Sequence, residues 1–140
     1  MSAEENKALV RRIFEEGWNA GNLGVFDEAI APDYVLHDPS VPEDVVGIDG
    51  IKGFASAFLH AFPDLHFSIE DQVAEGDRVV TRWTSSATHQ GELMGIAPTG
   101  NRTGVSGVTV GRISGGKLAE DWNNWDTLGL MRQIGAAPSG

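Results

Sequence analysis

The fold is predicted chiefly by residues 67–89, FSIEDQVAEGDRVVTRWTSSATH. Its first seven residues largely alternate between apolar and polar side chains, which is the spacing of a strand with one buried face. The turn residues Glu75-Gly76-Asp77 follow, and a second strand then returns from Val79 to about His89. This stretch therefore predicts an antiparallel hairpin of two long strands.

Two further strands are predicted downstream, over about 104–113 and 118–125, joined by the glycine-rich turn at 114–117. Glycine inside a strand lets the backbone kink or bulge. The sheet is therefore expected to bend sharply at its internal glycines, Gly104, Gly107 and Gly111.

The N-terminal part of the chain shows helical spacing instead. Ser2 followed by Glu5 is a capping-box pattern, and it predicts a helix from about Ala3 to Asn19. A second, short helix is expected to continue through Ile30 until Pro32 stops it, because proline has no N–H and a fixed φ.

A short strand is predicted at 34–37, and Asp49 is expected to cap a third helix that ends at Pro63. Asp126 is expected to cap a last short helix. Helices followed by long antiparallel strands predict one α+β domain over residues 1–140, with the helices on one face of a strongly curved, mostly antiparallel sheet. A bent sheet covered by helices leaves a cavity between the two layers.

The composition excludes several functional classes. The chain has 140 residues, 41% of them hydrophobic, no cysteine and a formal net charge of −10. Disulfides and thiolate metal sites are therefore excluded, and nothing indicates an oxidising compartment. The negative charge opposes nucleic-acid binding, and no segment is apolar enough to span a membrane. We expect a cytoplasmic protein with neither kind of partner.

Motifs of high specificity for phosphate, metal or serine chemistry are missing from the sequence. The candidate catalytic residues are polar side chains on strands that border the expected cavity, namely His37, His89, Asp121 and Asn123. Asp121 follows Glu120 on one strand, so these two carboxylates point to opposite faces and only one can enter the cavity. The sequence does not say which face is concave.

Three of these four candidates also have a plainer interpretation. Asp121 can be a surface carboxylate, and the two histidines can bond to nearby backbone. An apolar pocket and an apolar core look the same in a sequence. With that ambiguity, the expected walls of the cavity are the large apolar residues Phe14, Trp18, Phe58, Phe62, Trp83, Met94 and Trp125.

Several short segments, taken in order, carry a resemblance to a known family. They are ENKALVRR (5–12), WNAGNL (18–23), APDYV (31–35), HDP (37–39), AFPDL (61–65), EGD (75–77), THQG (88–91), MGI and PTG (94–96 and 98–100), GK (116–117) and WDTLGL (125–130). Each segment is a weak motif alone. Together, over nearly the whole chain, they resemble the SnoaL-like polyketide cyclases, also called ester cyclases.

The resemblance implies the cone fold of the nuclear transport factor 2-like superfamily and a homodimer or homotetramer packed through the outer sheet. It also implies an intramolecular aldol condensation without metal or organic cofactor. Asp121 would stand where the family has its catalytic aspartate. Family members also use a histidine on the neighbouring strand, where this chain has Ser106-Gly107.

We therefore predict that Asp121, desolvated by aromatic residues, removes a proton next to a carbonyl of a small apolar ligand. His37 or His89 is expected to bond the enolate oxygen. Other chemistry in the same pocket stays open, namely hydrolysis, dehydration, isomerisation or cofactor-free oxygenation. A protein that only binds an apolar metabolite is the alternative from a different class.

Overall fold

The computed structural model describes residues 2–136, which form one six-stranded sheet and the helices that cover it. The elements in chain order are α1 (Ala3–Arg12), a π-helix (Ile13–Asn19), α2 (Gly24–Ala29), β1 (Ile30–His37), β2 (Val45–Val46), α3 (Gly47–Ala61), β3 (His66–Glu75), β4 (Arg78–Thr88), β5 (Arg102–Ser114), β6 (Lys117–Trp125) and α4 (Thr127–Gln133).

The sheet has the strand order β2-β1-β6-β5-β4-β3. β1 runs parallel to β6, and the other neighbouring strands are antiparallel. The strand register shifts between β1 and β6, between β3 and β4 and between β5 and β6, as expected of a sheet that curves. Helices packed on a curved, mostly antiparallel sheet confirm the predicted α+β architecture.

Both predicted hairpins are present. Glu75 pairs with Arg78 across the Gly76-Asp77 turn, and Ser114 pairs with Lys117 across Gly115-Gly116. Gly115 and Gly116 have φ of +59° and +76°, a backbone region that residues with a Cβ avoid. The two-residue turns therefore hold the register of the long strands.

The first helix has the predicted bounds but two different forms. Ser2 and Glu5 form the capping box, with Glu5 N–H donating to Ser2 Oγ and Ser2 N–H to Glu5 Oε1, each at 3.1 Å. From Ile13 the helix widens into a π-helix. Asn19 fixes its end to β3, because its side chain accepts from Phe67 N–H at 2.7 Å and donates to Phe67 C=O at 2.8 Å.

The prediction of a second helix as far as Pro32 is wrong. That helix ends at Ala29, and both Ile30 and Pro32 belong to strand β1. The register between β1 and β6 shifts between Ile30 and Val35, so the ladder does not require an N–H from Pro32. Proline is therefore tolerated inside this strand.

Asp49 does not cap α3, contrary to the prediction. The helix begins at Gly47, with Val46 in the capping position and no side-chain cap. Gly47 has φ of +77°, which lets the chain turn from β2 straight into the helix. Asp49 lies in the first turn, where a carboxylate interacts favourably with the helix dipole.

The apolar core lies between the helices and the concave face of the sheet, in two clusters. The larger one surrounds Phe26 and Tyr34, and the smaller one surrounds Phe62 and Leu130. Asp126 caps α4 as predicted, since its Oδ1 accepts from Gly129 N–H at 2.8 Å. Among residues 2–136 no helix has the length and apolarity needed to cross a bilayer.

Candidate functional site

A cavity lies between the helices and the concave face of the sheet. Most of its lining residues are apolar, and eight aromatic residues besides Tyr34 contribute, namely Phe14, Trp18, Phe54, Phe58, Phe62, Phe67, Trp83 and Trp125. Six of the seven predicted wall residues are in this set. A cavity with this apolar lining suits a small apolar molecule.

The aromatic walls hold one another edge to face. Phe67 is central, with ring centroids 5.4 Å from Phe14, 5.5 Å from Trp18 and 5.0 Å from Trp83, at interplanar angles of 73° to 84°. Edge-to-face contacts of this kind stabilise aromatic clusters beyond the burial of their area. The cavity therefore has rigid walls.

Asp121 lies on β6 and points into this cavity. It is opposite Leu36 of β1 and Gly111 of β5, in the middle of the sheet. Protein surrounds the side chain, although the cavity leaves part of its surface accessible. Loss of solvation raises the pKa of Asp121 from 3.8 to about 7. A hydrogen bond from Tyr34 lowers this pKa, but its effect is smaller than that of burial. The carboxyl group can therefore exchange a proton near neutral pH.

Tyr34 is the hydrogen-bond partner of this carboxyl group. Its hydroxyl donates to Asp121 Oδ2 at 2.7 Å, and the residue is 1% exposed. Burial, followed by the nearby carboxylates of Asp121 and Asp38, raises the pKa of Tyr34 well above 10. Tyr34 therefore remains a hydrogen-bond donor throughout the physiological range.

Gly111 makes room for the other carboxyl oxygen. A Cβ at this position would lie 3.0 Å from Asp121 Oδ1 and 3.0 Å from Leu118 Cδ1, closer than ordinary van der Waals contacts. The internal glycine that was predicted to bend the sheet thus also accommodates the inward aspartate.

His37 lies on the outer face, contrary to the prediction that it contacts the ligand. Its Nδ1 is 3.0 Å from Asp44 Oδ1, its Nε2 is 2.7 Å from Glu120 Oε2, and its ring stacks on Trp122. The bond to Glu120, with a further contribution from Asp44, raises the pKa of His37. Because side chains alternate along β1, His37 points outward while Tyr34 and Leu36 point inward.

His89 is fully buried and does not border the cavity, so this predicted ligand contact is also wrong. Its Nδ1 accepts from Thr99 N–H at 3.3 Å and lies 3.1 Å from Thr99 Oγ1. Its ring centroid is 5.4 Å from that of Phe62, which does line the cavity. His89 therefore lies behind the aromatic wall and anchors the loop that carries Thr99.

Met94 was predicted as a wall residue, and it is 49% exposed outside the cavity. Leu93 and Ile96 exchange backbone hydrogen bonds of 3.1 and 2.8 Å, which closes a tight turn around it. Met94 has φ of 50°, and Leu93 takes the buried position instead. Helix or strand periodicity does not extend into such a turn, so the sequence pattern could not assign the inward residue.

Asp38 is a cavity residue that the sequence reasoning did not select. It is 9% exposed, and its Oδ2 accepts from Asn123 Nδ2 at 2.9 Å and from Trp125 Nε1 at 3.1 Å. The alternation from Tyr34 through Leu36 could have indicated it, had β1 been extended by one residue. Asn123, which was predicted, lies beside it on the cavity wall.

Two tryptophans fill the space beside Gly107, one of the two residues at which the resemblance places the family histidine. Gly107 is on the inner face of β5 between Trp83 and Trp125. A Cβ there would lie 2.4 Å from Trp83 Cζ2 and 2.7 Å from Trp125 Cβ, distances that no real side chain tolerates. A histidine therefore cannot stand at 107 with these indoles as they are.

Comparison with known proteins agrees with this architecture. Residues 8–134 match the family described as SnoaL-like polyketide cyclase. No protein with a curated description matches the sequence significantly. The fold and the family comparison thus point the same way.

Several solved structures are similar over almost the whole chain. One is provisionally named a polyketide cyclase, from Acidithiobacillus ferrooxidans, with 35% identity, a TM-score of 0.84 and coverage of 99% of this chain and 100% of that one. AclR from Streptomyces galilaeus, provisionally named a hydroxylase, has 34% identity, a TM-score of 0.86 and coverage of 99% and 86%. A provisional SnoaL-like polyketide cyclase from Jannaschia sp. CCS1 has 29% identity, a TM-score of 0.87 and coverage of 97% and 95%.

Proposed function

The chain belongs to the SnoaL-like polyketide cyclase family, and on that premise we propose that it is a cofactor-independent enzyme that closes a ring by acid–base chemistry. Its substrate is a small, largely apolar carbonyl compound held in the aromatic cavity. One observation carries the proposal, which is a carboxyl group inside this cavity whose pKa is raised to about 7. A general base works best when its pKa is close to the working pH.

The reaction is an intramolecular aldol condensation. Asp121 removes a proton from the carbon next to a carbonyl, and the resulting enolate carbon forms a bond to a second carbonyl carbon of the same molecule. The protonated Asp121 then returns its proton to the new alkoxide, so that one side chain serves as base and then as acid. The rigid aromatic wall holds the two reacting ends together, which contributes to the rate.

Asn123 supplies the hydrogen-bond donor for the enolate oxygen, a role that His37 and His89 cannot fill from their positions. One hydrogen of its amide goes to Asp38, and its Oδ1 accepts from Thr109 Oγ1 at 2.8 Å. The second hydrogen has no acceptor within residues 2–136. A fixed donor beside the developing oxyanion stabilises the transition state.

A second candidate is a hydroxylase that uses the same pocket and the same base. The likeness to AclR, at 34% identity, favours it. Proton removal by Asp121 would begin this reaction also, but molecular oxygen would be consumed, and the substrate itself or a reduced co-substrate would have to supply the two electrons that reduce its second atom to water. Oxygen uptake during turnover therefore separates the two activities.

The base is tested first with 5-nitrobenzisoxazole, a flat probe that needs no knowledge of the substrate. Loss of its C3 proton breaks the N–O bond and releases a coloured 2-cyano-4-nitrophenolate. We expect catalysis by the wild type and a loss of about 10²- to 10⁴-fold in Asp121→Asn. Asp71→Asn, which removes an exposed carboxylate paired with Arg82, is the matched control. Equal rates in the wild type and Asp121→Asn would favour the binding-only alternative.

Ring closure is then tested with an aromatic polyketide ester that has an activated methylene and a free carbonyl. Chromatography and mass spectrometry distinguish the closed product, which has the mass of the substrate or that mass less one water. If the ester is unchanged while the probe reacts, the result would support Asp121 as the base and contradict the proposed cyclase activity.

We also propose a homodimer or homotetramer that packs through the outer face of the sheet, and a cytoplasmic location. Val108 and Trp122 are on that face, and Val108 is 37% exposed. The family implies this mode of assembly. The lack of cysteine supports the proposed location, since disulfides mark oxidising compartments.

A further inference from the structure

Four cavity residues form a hydrogen-bond relay across three strands. Trp83 Nε1 donates to Thr109 Oγ1 at 3.0 Å, Thr109 Oγ1 donates to Asn123 Oδ1 at 2.8 Å, and Asn123 Nδ2 donates to Asp38 Oδ2 at 2.9 Å. The relay begins at an indole and ends at a carboxylate. Its members all border the cavity.

The direction of every bond in this relay is fixed by chemistry. The carboxylate of Asp38 can only accept, so the amide nitrogen of Asn123 faces it and Asn123 Oδ1 faces Thr109. Because an indole N–H can only donate, the Thr109 oxygen accepts from Trp83 and gives its own hydrogen to Asn123 Oδ1. The amide has one orientation, although Asn side chains commonly allow two.

Asp38 is held firmly enough to act as the end of the relay. Besides Asn123, it accepts from Trp125 Nε1, from Ser40 N–H at 2.8 Å and from the Ser40 hydroxyl. Hydrogen bonds to a carboxylate are stronger than those between neutral groups, and a buried network in which every group has a partner is rigid. Asp38 therefore fixes the Asn123 amide and the Trp125 indole at once.

We propose that Asp38 is a positioning residue that aims the second amide hydrogen of Asn123 at the ligand and keeps the Trp125 wall in place. It does not touch the reacting atoms. The inference rests on the proposed function, because the aimed hydrogen serves the oxyanion formed after Asp121 removes a proton. The site is consequently selective for ligands that present an oxygen acceptor, such as a carbonyl, at Asn123.

The test is a double-mutant cycle on the 5-nitrobenzisoxazole reaction, in which negative charge develops on the leaving oxygen. Asn123→Ala removes the donor and is expected to lower kcat by about 10²- to 10³-fold. Asp38→Asn leaves the donor but frees its orientation, and is expected to lower kcat about 10-fold or more with KM little changed. In the Asn123→Ala background, Asp38→Asn should have a much smaller effect, because only the hydrogen bond to Trp125 is then lost.

Two readouts distinguish positioning from a general loss of structure. The pH midpoint of the reaction should stay near 7 in Asp38→Asn, because Asp121 and Tyr34 are untouched. The NMR signal of the Trp125 indole N–H should move in Asp38→Asn, as its carboxylate acceptor is lost. Asp44→Asn neutralises an exposed carboxylate of the same segment outside the cavity, and its kcat should equal that of the wild type.

An equal loss of kcat from Asp38→Asn in the two backgrounds would overturn the proposal, and so would an unchanged kcat. If Asp38→Asn does not fold, Thr109→Val replaces it. Thr109→Val breaks the relay at its middle bond. The loss of kcat that it causes in the wild type should be absent in the Asn123→Ala background. A wild type without activity on the probe would reject the proposed base, while the indole signal would still report whether Asp38 holds Trp125.

Discussion

The hydroxyl of Tyr34 donates a 2.7 Å hydrogen bond to Oδ2 of Asp121, inside the aromatic cavity. Burial and this hydrogen bond shift the pKa of Asp121 in opposite directions. Burial disfavours the charged carboxylate and raises its pKa, while the hydroxyl stabilises the charge and lowers it. The resulting pKa of about 7 makes the group half ionised at neutral pH.

The rate of the 5-nitrobenzisoxazole reaction should follow the ionised fraction of Asp121. We expect kcat/KM to rise about tenfold per pH unit below pH 7 and to level off above it, because only the carboxylate is a base. Stopped-flow absorbance between pH 5 and 9 measures the profile. A midpoint near 4, the ordinary range of an aspartate, would contradict the desolvation described above.

Replacing Tyr34 by phenylalanine should move this midpoint upward. Tyr34→Phe removes the one hydrogen bond that lowers the pKa of Asp121 and leaves burial unopposed. The same pH series should then show a higher midpoint, with lower activity at pH 7. A downward shift would mean that water enters the cavity of the variant and solvates the carboxylate.

Asp121→Asn should stabilise the folded protein at pH 8. In the unfolded chain the carboxyl group has a pKa of 3.8, and in the folded chain about 7, so the folded state binds more protons between these values. Stability therefore falls as pH rises from 4 to 7, and the cost persists above pH 7. Urea denaturation should show the variant more stable by roughly 2–4 kcal/mol at pH 8.

Near pH 4 the two proteins should differ little in urea, since a protonated aspartate and an asparagine are then similar. A variant that is less stable at both pH values would indicate that the carboxyl group is not desolvated in the folded state.

His37 should stabilise the fold at low pH and lose this effect as pH rises. Its pKa is raised by Glu120 and Asp44, and Glu120 in turn contacts Arg112. The stabilisation is complete below the unfolded pKa of about 6.5 and disappears as pH passes the folded value. His37→Gln should lower Tm by less than about 4 °C at pH 5.5, because exposed ion pairs are weak.

At pH 9 the Tm of His37→Gln should equal that of the wild type. His66→Gln, a change at an exposed histidine of β3, is the matched control for the loss of an imidazole. An equal loss of Tm at both pH values would assign His37 a packing role on Trp122 instead.

Val108→Glu should dissociate the proposed oligomer. A charge on the outer face of β5 cannot be buried against a second copy without a partner. Analytical ultracentrifugation should show the variant at the monomer mass of 14.9 kDa and the wild type at two or four times that mass. Val46→Glu, at the exposed edge strand β2, is the control that should keep the wild-type mass.

The sequence predicted the long hairpins and the inward position of Asp121 as one of two choices. Alternation along β6 restricts the choice to Glu120 or Asp121, and only tertiary contacts decide it. Here the parallel pairing with β1 brings Tyr34 beside Asp121 and leaves Glu120 with His37 on the outside. Such a long-range pairing has no signal in a local pattern.

The same limitation explains the residues that were missed or misassigned. Asp38 lies just past the end of β1, where the alternation can be read only if the strand is extended. The two-residue alternation of β4 correctly predicts that His89 points inward, but Phe62 lies between His89 and the cavity. Alternation along a strand predicts the face to which a side chain points, and it does not predict what lies between that side chain and a cavity.

Gly107 distinguishes this pocket from any pocket that carries a histidine at the same position of the strand. Trp83 and Trp125 occupy the volume that any side chain at 107 would need. The exchange of glycine for histidine is therefore not a single tolerated step, and it must accompany the replacement of at least one indole. A pocket with a histidine at this position and the pocket described here are therefore separated by coupled substitutions.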